Sequence, residues 1–389
     1  MALAGLEVLA VVAGLITTVP LLGDLFAAKP DDSITTVVKI VTGDDDFTDG
    51  HFPGIQLFDR QGQTIGLQES YDDVLGKGAP RTANIVQIDP LKSAGGVEYI
   101  SLSQGGNDAI CISFFTVRTP TDLKYSWTGD IAFQCAGIIE TFWYHGNVVV
   151  SQSEKGIIKP KCAWIDGDST NGITTKGLGI HLPSFIPSAG REKSFRENID
   201  RQCKSQPRFA AYTEDGFSAF HTIPFFKEDV FDLTTLEDFG DKALDQGNWD
   251  LKEFDTSLIF GRDVGNSTAA AAATANPQDA PSRGGGRRPR KTKQWRKPGQ
   301  LIKSKADYHS ARELCESPYS FGPDMVNLHE GIYCDMTNKQ MWDVCKDDSQ
   351  RSCFDIETSR MRLGGGNSRR DESSGRLIPR KIYDEIKEW

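Results

Sequence analysis

Eight cysteines constrain this chain more than any other feature. They stand at Cys111, Cys135, Cys162, Cys203, Cys315, Cys334, Cys345 and Cys353, four on each side of a low-complexity stretch. An even count divided in this way is the pattern of two separately stapled domains. Disulfides persist in oxidising compartments and are rare in the cytosol, so the pattern predicts an extracellular or cell-surface protein. No two of the cysteines have C-x-x-C spacing, which removes zinc ribbons and thioredoxin-like redox motifs from consideration.

The amino terminus bears on the same question. Residues 1–28 carry only Glu7 and Asp24 as charged side chains, around an apolar run from Val8 to Leu22 that Thr17, Thr18 and Pro20 interrupt. The run falls short of the roughly 20 apolar residues that cross a bilayer. It suits a secretory signal with Ala27-Ala28 at the cleavage site, although no Lys or Arg precedes it and Phe26 stands where a small residue is expected. The competing reading is a membrane-seeking helix, with membrane contact through residues 1–28. Asn266-Ser267-Thr268 is an acceptor sequon and predicts a glycoprotein if the chain is secreted.

Between residues 33 and 150 the sequence reads as strands: Thr35–Val41, Gly54–Phe58, Tyr99–Leu102, Ala109–Val117 and Phe142–Tyr144. Turn residues such as Asp59-Arg60-Gln61-Gly62 separate these β-branched and aromatic runs, the signature of an antiparallel β-sandwich, and no helix-period segment interrupts them. Residues 151–261 continue as a β-rich extension with Ala163–Ile165, Gly177–Leu182 and Arg208–Tyr212, a helix-compatible segment from Arg191 to Lys204, and an acidic irregular stretch from Asp215 to Asp255. Residues 262–300 are read as a disordered basic linker. Residues 301–358 form a small Cys-rich α+β module, with a helix near Ala306–Cys315, a strand across Met325–Cys334 and a short helix across Thr337–Cys345. Residues 359–389 are read as a loose tail. The fold class is therefore mainly β.

The net charge of −10 argues against a chain built to coat nucleic acid, but it is an average of unlike parts. Ten Lys or Arg and no acid lie between Arg283 and Lys305, and the other 34 bases face 54 acids, a balance near −20. The basic run around Arg287, Arg288, Arg290 and Lys291 is a processing site or a linker that pairs with the acidic 215–255 stretch. A nucleic-acid segment is the weakest reading.

Two resemblances follow from particular residues. Val37-Val38-Lys39-Ile40-Val41-Thr42-Gly43-Asp44, then Pro53-Gly54-Ile55-Gln56-Leu57-Phe58-Asp59 and a later apolar strand, resemble the PLAT/LH2 β-sandwich over a quarter to a third of the chain. Asn107-Asp108-Ala109-Ile110-Cys111-Ile112, Cys162-Ala163-Trp164-Ile165-Asp166 and the tail through Glu313-Leu314-Cys315, Tyr333-Cys334-Asp335-Met336 and Cys353-Phe354-Asp355 are similar to uncharacterised proteins of filamentous fungi over most of the chain. That likeness implies a fungal source and a shared architecture, with no activity or catalytic residue.

Catalytic signatures are missing. The six histidines, His51, His145, His181, His221, His309 and His329, lie far apart, and His329-Glu330 lacks the second histidine of a zincin helix. No Gly-x-Ser-x-Gly elbow or phosphate-cradling glycine loop occurs. The residues predict a binding protein whose sandwich-rim loops recognise carbohydrate, lipid or protein. The alternatives are a membrane-active, pore-forming or toxin-like protein and a hydrolase with a site assembled from distant positions. No cofactor is called for. Calcium is the one candidate ion, at Asp44, Asp45, Asp46 and Asp49 in the first rim loop, with a poorer set at Asp166, Asp168 and Asn171. Trp127 and Trp143, near Phe142 and Tyr144, are candidate ligand-stacking aromatics, although strand alternation buries at least one side of such a cluster.

Overall fold

Alternation along β1 (Thr35–Thr42) sends Val38 and Ile40 to one side of the strand and Val37 and Val41 to the other. In the computed structural model the first pair faces a core between two antiparallel sheets. The structure describes residues 34–75, 81–86, 96–104, 106–153, 156–169, 172–186, 189–227, 230–232, 237–238, 240–253, 299–363, 370–371 and 374–389.

The remaining sandwich strands are β2 (Gly54–Phe58), β3 (Thr64–Gln68), β4 (Arg81–Val86), β5 (Tyr99–Ser103), β6 (Ile110–Arg118), β7 (Lys124–Thr128), β8 (Trp143–Tyr144), β9 (Cys162–Ile165), β10 (Gly177–His181) and β11 (Phe209–Tyr212). One sheet runs β8-β9-β6-β1-β4 with β7 also on β6, and the other runs β11-β10-β5-β2-β3. Strands from both sides of residue 150 pair in each sheet, so the segment expected to be a separate extension completes the sandwich. Ile55, Leu57, Ile100, Leu102, Leu178 and Ile180 of the second sheet meet Val38, Ile40 and Val117 of the first. A register irregularity at Val41/Thr42 lets β6 present Ile110 and Ile112, then Phe115 and Val117, to that core.

Sequence reasoning missed a helix. α1 (Asp130–Ile139) follows β7, and the Cys135–Cys203 disulfide ties it to α3 (Asp200–Cys203), which comes after α2 (Ala189–Glu197). Gly137 and the β-branched Ile138-Ile139 make α1 a poor helix by propensity; its buried Ile131, Ala132, Cys135 and Ala136 hold it in place.

The C-terminal module is a mixed sheet. Its strands are β12 (Gln300–Ser304), β13 (Asp324–Asn327), β14 (Ile332–Asp335), β15 (Gln340–Asp343) and β16 (Glu385–Glu388), in the order β15-β14-β13-β12-β16. β12 is parallel to β13 and β16. α4 (Ala311–Glu316) begins at Ser310, whose Oγ accepts from Glu313 N–H at 3.1 Å, while the Glu330 carboxylate accepts from Ala311 and Arg312 N–H. Three expectations are corrected. The strand foreseen across 325–334 is a hairpin of two strands. The foreseen helix at 337–345 is instead β15, because Lys339 takes a left-handed φ of 51° and turns the chain back so that Tyr333 pairs with Trp342. The tail is not loose at its end, since β16 completes the sheet.

The disulfides are Cys111–Cys162, Cys135–Cys203, Cys315–Cys334 and Cys345–Cys353. All eight cysteines are paired and no disulfide joins the sandwich to the module. Their union is non-covalent. Cys111, Cys162 and Trp164, on the outer face of the first sheet, share one hydrophobic cluster with Ile302, Leu314 and Met325 of the module. Among the described residues no helix is long and apolar enough to cross a membrane.

The last residue seals the seam. The Trp389 indole donates to Asp45 Oδ2 at 2.9 Å, and its ring lies 5.0 Å from His309 and 6.3 Å from Tyr144. Trp389→Ala should lower the unfolding free energy by about 2–4 kcal/mol through lost packing and a lost donor to a buried carboxylate. Urea denaturation checks this; a change under about 0.5 kcal/mol would mean that the tail is only loosely attached.

Candidate functional site: a cleft at the seam

The outer face of β8 and β9 carries an aromatic surface, and a single loop of the module meets it. Trp143 N–H donates to Tyr319 O (3.1 Å), and Phe321 N–H donates back to Trp143 O (2.9 Å). The indole of Trp143 donates to Ser317 Oγ at 3.2 Å, that of Trp164 to Phe321 O at 2.9 Å, and the Tyr144 hydroxyl to Pro323 O at 2.9 Å. Gly322 lies so close to the Tyr144 ring that a Cβ there would stand 2.4 Å from it, so no larger residue fits the approach. Lys339 fixes the same loop, donating to Leu314 O (3.0 Å), Ser320 O (2.8 Å) and Ser320 Oγ. Burial brings its ammonium down to about 8.

Beside this contact lies a cleft of about 690 Å³. Phe47, on the rim loop after β1, and Trp164 line the sandwich side. Phe321, Gln300, Thr337 and the segment Arg380–Asp384 line the module side. Phe47 packs edge-on to Tyr144 at 5.2 Å, and Phe321 edge-on to Trp164 at 5.6 Å. Phe47 and Phe321 are half-buried, Gln300 is buried, and Arg380 and Asp384 are exposed.

The cleft floor is a charge hub. Lys381 Nζ contacts Asp324 Oδ2 at 2.7 Å, Asp335 Oδ1 at 2.5 Å and Thr337 Oγ1 at 3.0 Å. Asp324 also accepts from Tyr333 (3.0 Å), Tyr383 (2.6 Å) and Met336 N–H (2.9 Å). Burial and the neighbouring Asp324 carboxylate push both phenols well above the usual tyrosine range, so they stay protonated donors. A carboxylate with that many donors is a fixed strut for the wall above it.

The residues singled out from sequence fall elsewhere or do other work. Trp127 is 1% exposed and stacks on Phe115 in the inter-sheet core, so it is not a ligand platform. Trp143 is fully buried and meets the module, not an external ligand. In the rim loop Asp44 is exposed, Asp49 is half-buried, and Asp46 lies 3.5 Å from Lys387. Asp45 is buried and bonded to Lys387 and Trp389; burial outweighs those partners and raises its carboxyl. Among the described residues no three His, Cys, Asp or Glu converge on one ion position, so calcium at Asp44, Asp45, Asp46 and Asp49 has no geometric support. Asp166 and Asp168 are adjacent, while Asn171 lies outside the described residues, as do residues 1–28, Asn266, Arg287, Arg288, Arg290 and Lys291.

Sequence reasoning missed Lys381, Tyr383 and Asp324. The available signal was the alternation in Arg380-Lys381-Ile382-Tyr383-Asp384, which marks an extended segment, but only the fold brings it beside β13 and β14.

No family model matches the chain, and no curated protein matches it. Among solved structures it is similar to a deletion variant of a lipoxygenase and to the same variant crystallised anaerobically with arachidonate. Each is 11% identical, covers 44% of this chain and 22% of its own, and superposes with a TM-score of 0.21. The chain thus spans about a fifth of the length of those proteins. A likeness at that level carries no argument, and the sandwich stands on its own strand pairing.

Two outcomes test this arrangement. Asp324→Ala removes the shared acceptor of two buried phenols and one of the two carboxylates that hold Lys381, and should cost about 2–4 kcal/mol in thermal or chemical unfolding. Asp166 bears on pH. Burial first, and Asp168 second, lift its carboxyl from 3.8 to about 7. The folded chain therefore keeps a proton that the unfolded chain releases, and the stability from that proton, complete below about pH 4, is lost as pH rises through 7. Asp166→Asn should accordingly be more stable than wild type at pH 8, by on the order of 2–4 kcal/mol, with the gain vanishing near pH 4. Melting curves across that range decide it.

Proposed function

We propose that this protein is a non-enzymatic recognition protein of the cell exterior, and that the cleft at the seam holds a saccharide. The carrying observation is the lining. Phe47 and Phe321 offer apolar ring surface, while Gln300, Thr337, Arg380 and Asp384 supply amide, hydroxyl, guanidinium and carboxylate around it. Sugars present C–H faces that lie on aromatic rings and hydroxyls that both donate and accept, so they match such a mixture better than a lipid tail does. A cleft of about 690 Å³ has room for one or two sugar rings.

Other observations support the setting. Four disulfides are characteristic of oxidising compartments. The resemblance to filamentous-fungal proteins fits secretion into a polysaccharide-rich surface. The rim loop foreseen as the recognition element contributes Phe47, although its Asp45 and Asp46 face Lys387, and Asp45 also Trp389, instead of a ligand.

A glycan array probed with the full chain, followed by calorimetry on a retained glycan, tests this reading. Phe47→Ala and Arg380→Ala should each weaken binding about tenfold or more, corresponding to about 1.4 kcal/mol. Retention of no glycan, or wild-type affinity in both variants, would contradict it.

A further inference from the structure

Two histidines meet reciprocally where the sandwich joins the module. His145, just after β8, places Nε2 3.0 Å from Ser310 O, and His309 places Nε2 3.0 Å from Gly146 O. Each ring thus bonds the carbonyl of the residue that follows the other. The rings lie 5.4 Å apart, and each side chain is 1% exposed. A carbonyl only accepts, so each Nε2 carries a hydrogen. At His309 the other nitrogen lies 2.8 Å from Ser304 Oγ, which itself accepts from Ala306 N–H and so has its own hydrogen to give. The His309 ring is therefore a neutral donor–acceptor, and a second proton would reverse the Ser304 bond and place a cation in a buried seam.

The lysines on the sandwich side oppose that cation, and Asp307 favours it. Lys161 faces His145; Lys159 and Lys161 from the sandwich and Asp307 from the module face His309. Lys161 itself lies 3.5 Å from Glu313 of α4. Burial is the main cause, and the lysines add to it: His145 is held well below the usual histidine range and His309 is brought down to about 4. Asp45, with Lys387, Asp46 and Glu385 near it, spans the same seam. Its carboxyl, raised mainly by burial, works in the opposite sense, since the docked state takes up that proton more readily than the parted one.

We infer that His145 and His309 form an acid-released clasp: neutral, they lock the module onto the sandwich, and protonated, they let it part, opening the cleft. The release of a ligand rests on the saccharide reading above; the parting of the two units does not. No disulfide crosses the seam, so both units can separate with their cross-links intact. A histidine whose docked pKa is depressed gives stability that is present above about pH 6.5 and lost as pH falls toward its docked value. For His309 alone this weakens docking roughly 30-fold between pH 7.5 and pH 5.

Hydrogen exchange on the full chain, corrected for intrinsic rates, tests this at pH 7.5 and 5.0. The amides of Trp143 and Phe321, which bond across the seam, should lose protection by roughly 30-fold or more, while β1 amides keep theirs. His309→Gln and His145→Gln retain a donor without a titration, and each should shrink the step. Flat protection in the wild type, parallel loss in β1, or an undiminished step in both variants would overturn the clasp. Saccharide binding measured alongside separates the two proposals. An exchange step with no saccharide bound at any pH overturns the cleft assignment and supports the clasp; binding that persists at pH 5 with flat exchange overturns the clasp alone.

Discussion

The contact between the outer face of the first sheet and the C-terminal module is the interaction on which the rest depends. A sheet that ended at solvent there would expose Tyr144 and Trp164 on its outer face and leave the edge at Trp143 uncovered, a large apolar patch. The module has the complementary deficit, being too small to bury Ile302, Leu314 and Met325 within itself. Each layer completes the other, and module atoms satisfy the polar groups of the three aromatic rings. Shape and hydrogen bonding thus act together, and the Cys111–Cys162 bridge ties β9, which carries Trp164, to β6.

The cleft follows from this contact as a consequence of geometry. The loop from Ser317 to Pro323 is anchored on one side by the sandwich aromatics and on the other by Lys339, so its Phe321 ring stands fixed at the edge of the seam. Strand β16 then carries the chain end back to Asp45, which places Arg380 and Asp384 opposite Phe47. Neither unit holds the site alone. Any motion that parts them abolishes it, and this ties the cleft to the histidine contacts that cross the same boundary.

Much of the sandwich was legible because strand alternation is a local signal. Gly54–Phe58 was read to the residue, and Tyr99–Leu102 and Ala109–Val117 to within one. The run at Ala109–Val117 held more information than was taken from it, since a strand without polar alternation is covered on both faces, and the second cover is the module. The cysteine split was right about stapling, as each unit keeps its own two disulfides, but stapling does not fix where a core ends. The candidate site was hardly legible at all. Trp143 has the character of a ligand-binding aromatic, and its partner lies within the chain, at Ser317 of the module. Lys381, Asp324 and Tyr383 come together across more than 50 residues, with no spacing rule to join them. α1 and the tail strand escaped for the same reason, being held by tertiary contacts that outweigh weak local preference.

The central claim is that one core, not a tether, joins the two units. It is tested most directly by cutting the chain at an inserted protease site between residues 254 and 298 and running the nicked protein on a sizing column at pH 7.5 without reductant. The shared cluster predicts a single species at the size of the intact chain that divides into two fragments only in denaturant. Two separate native-like peaks at pH 7.5 would contradict the account.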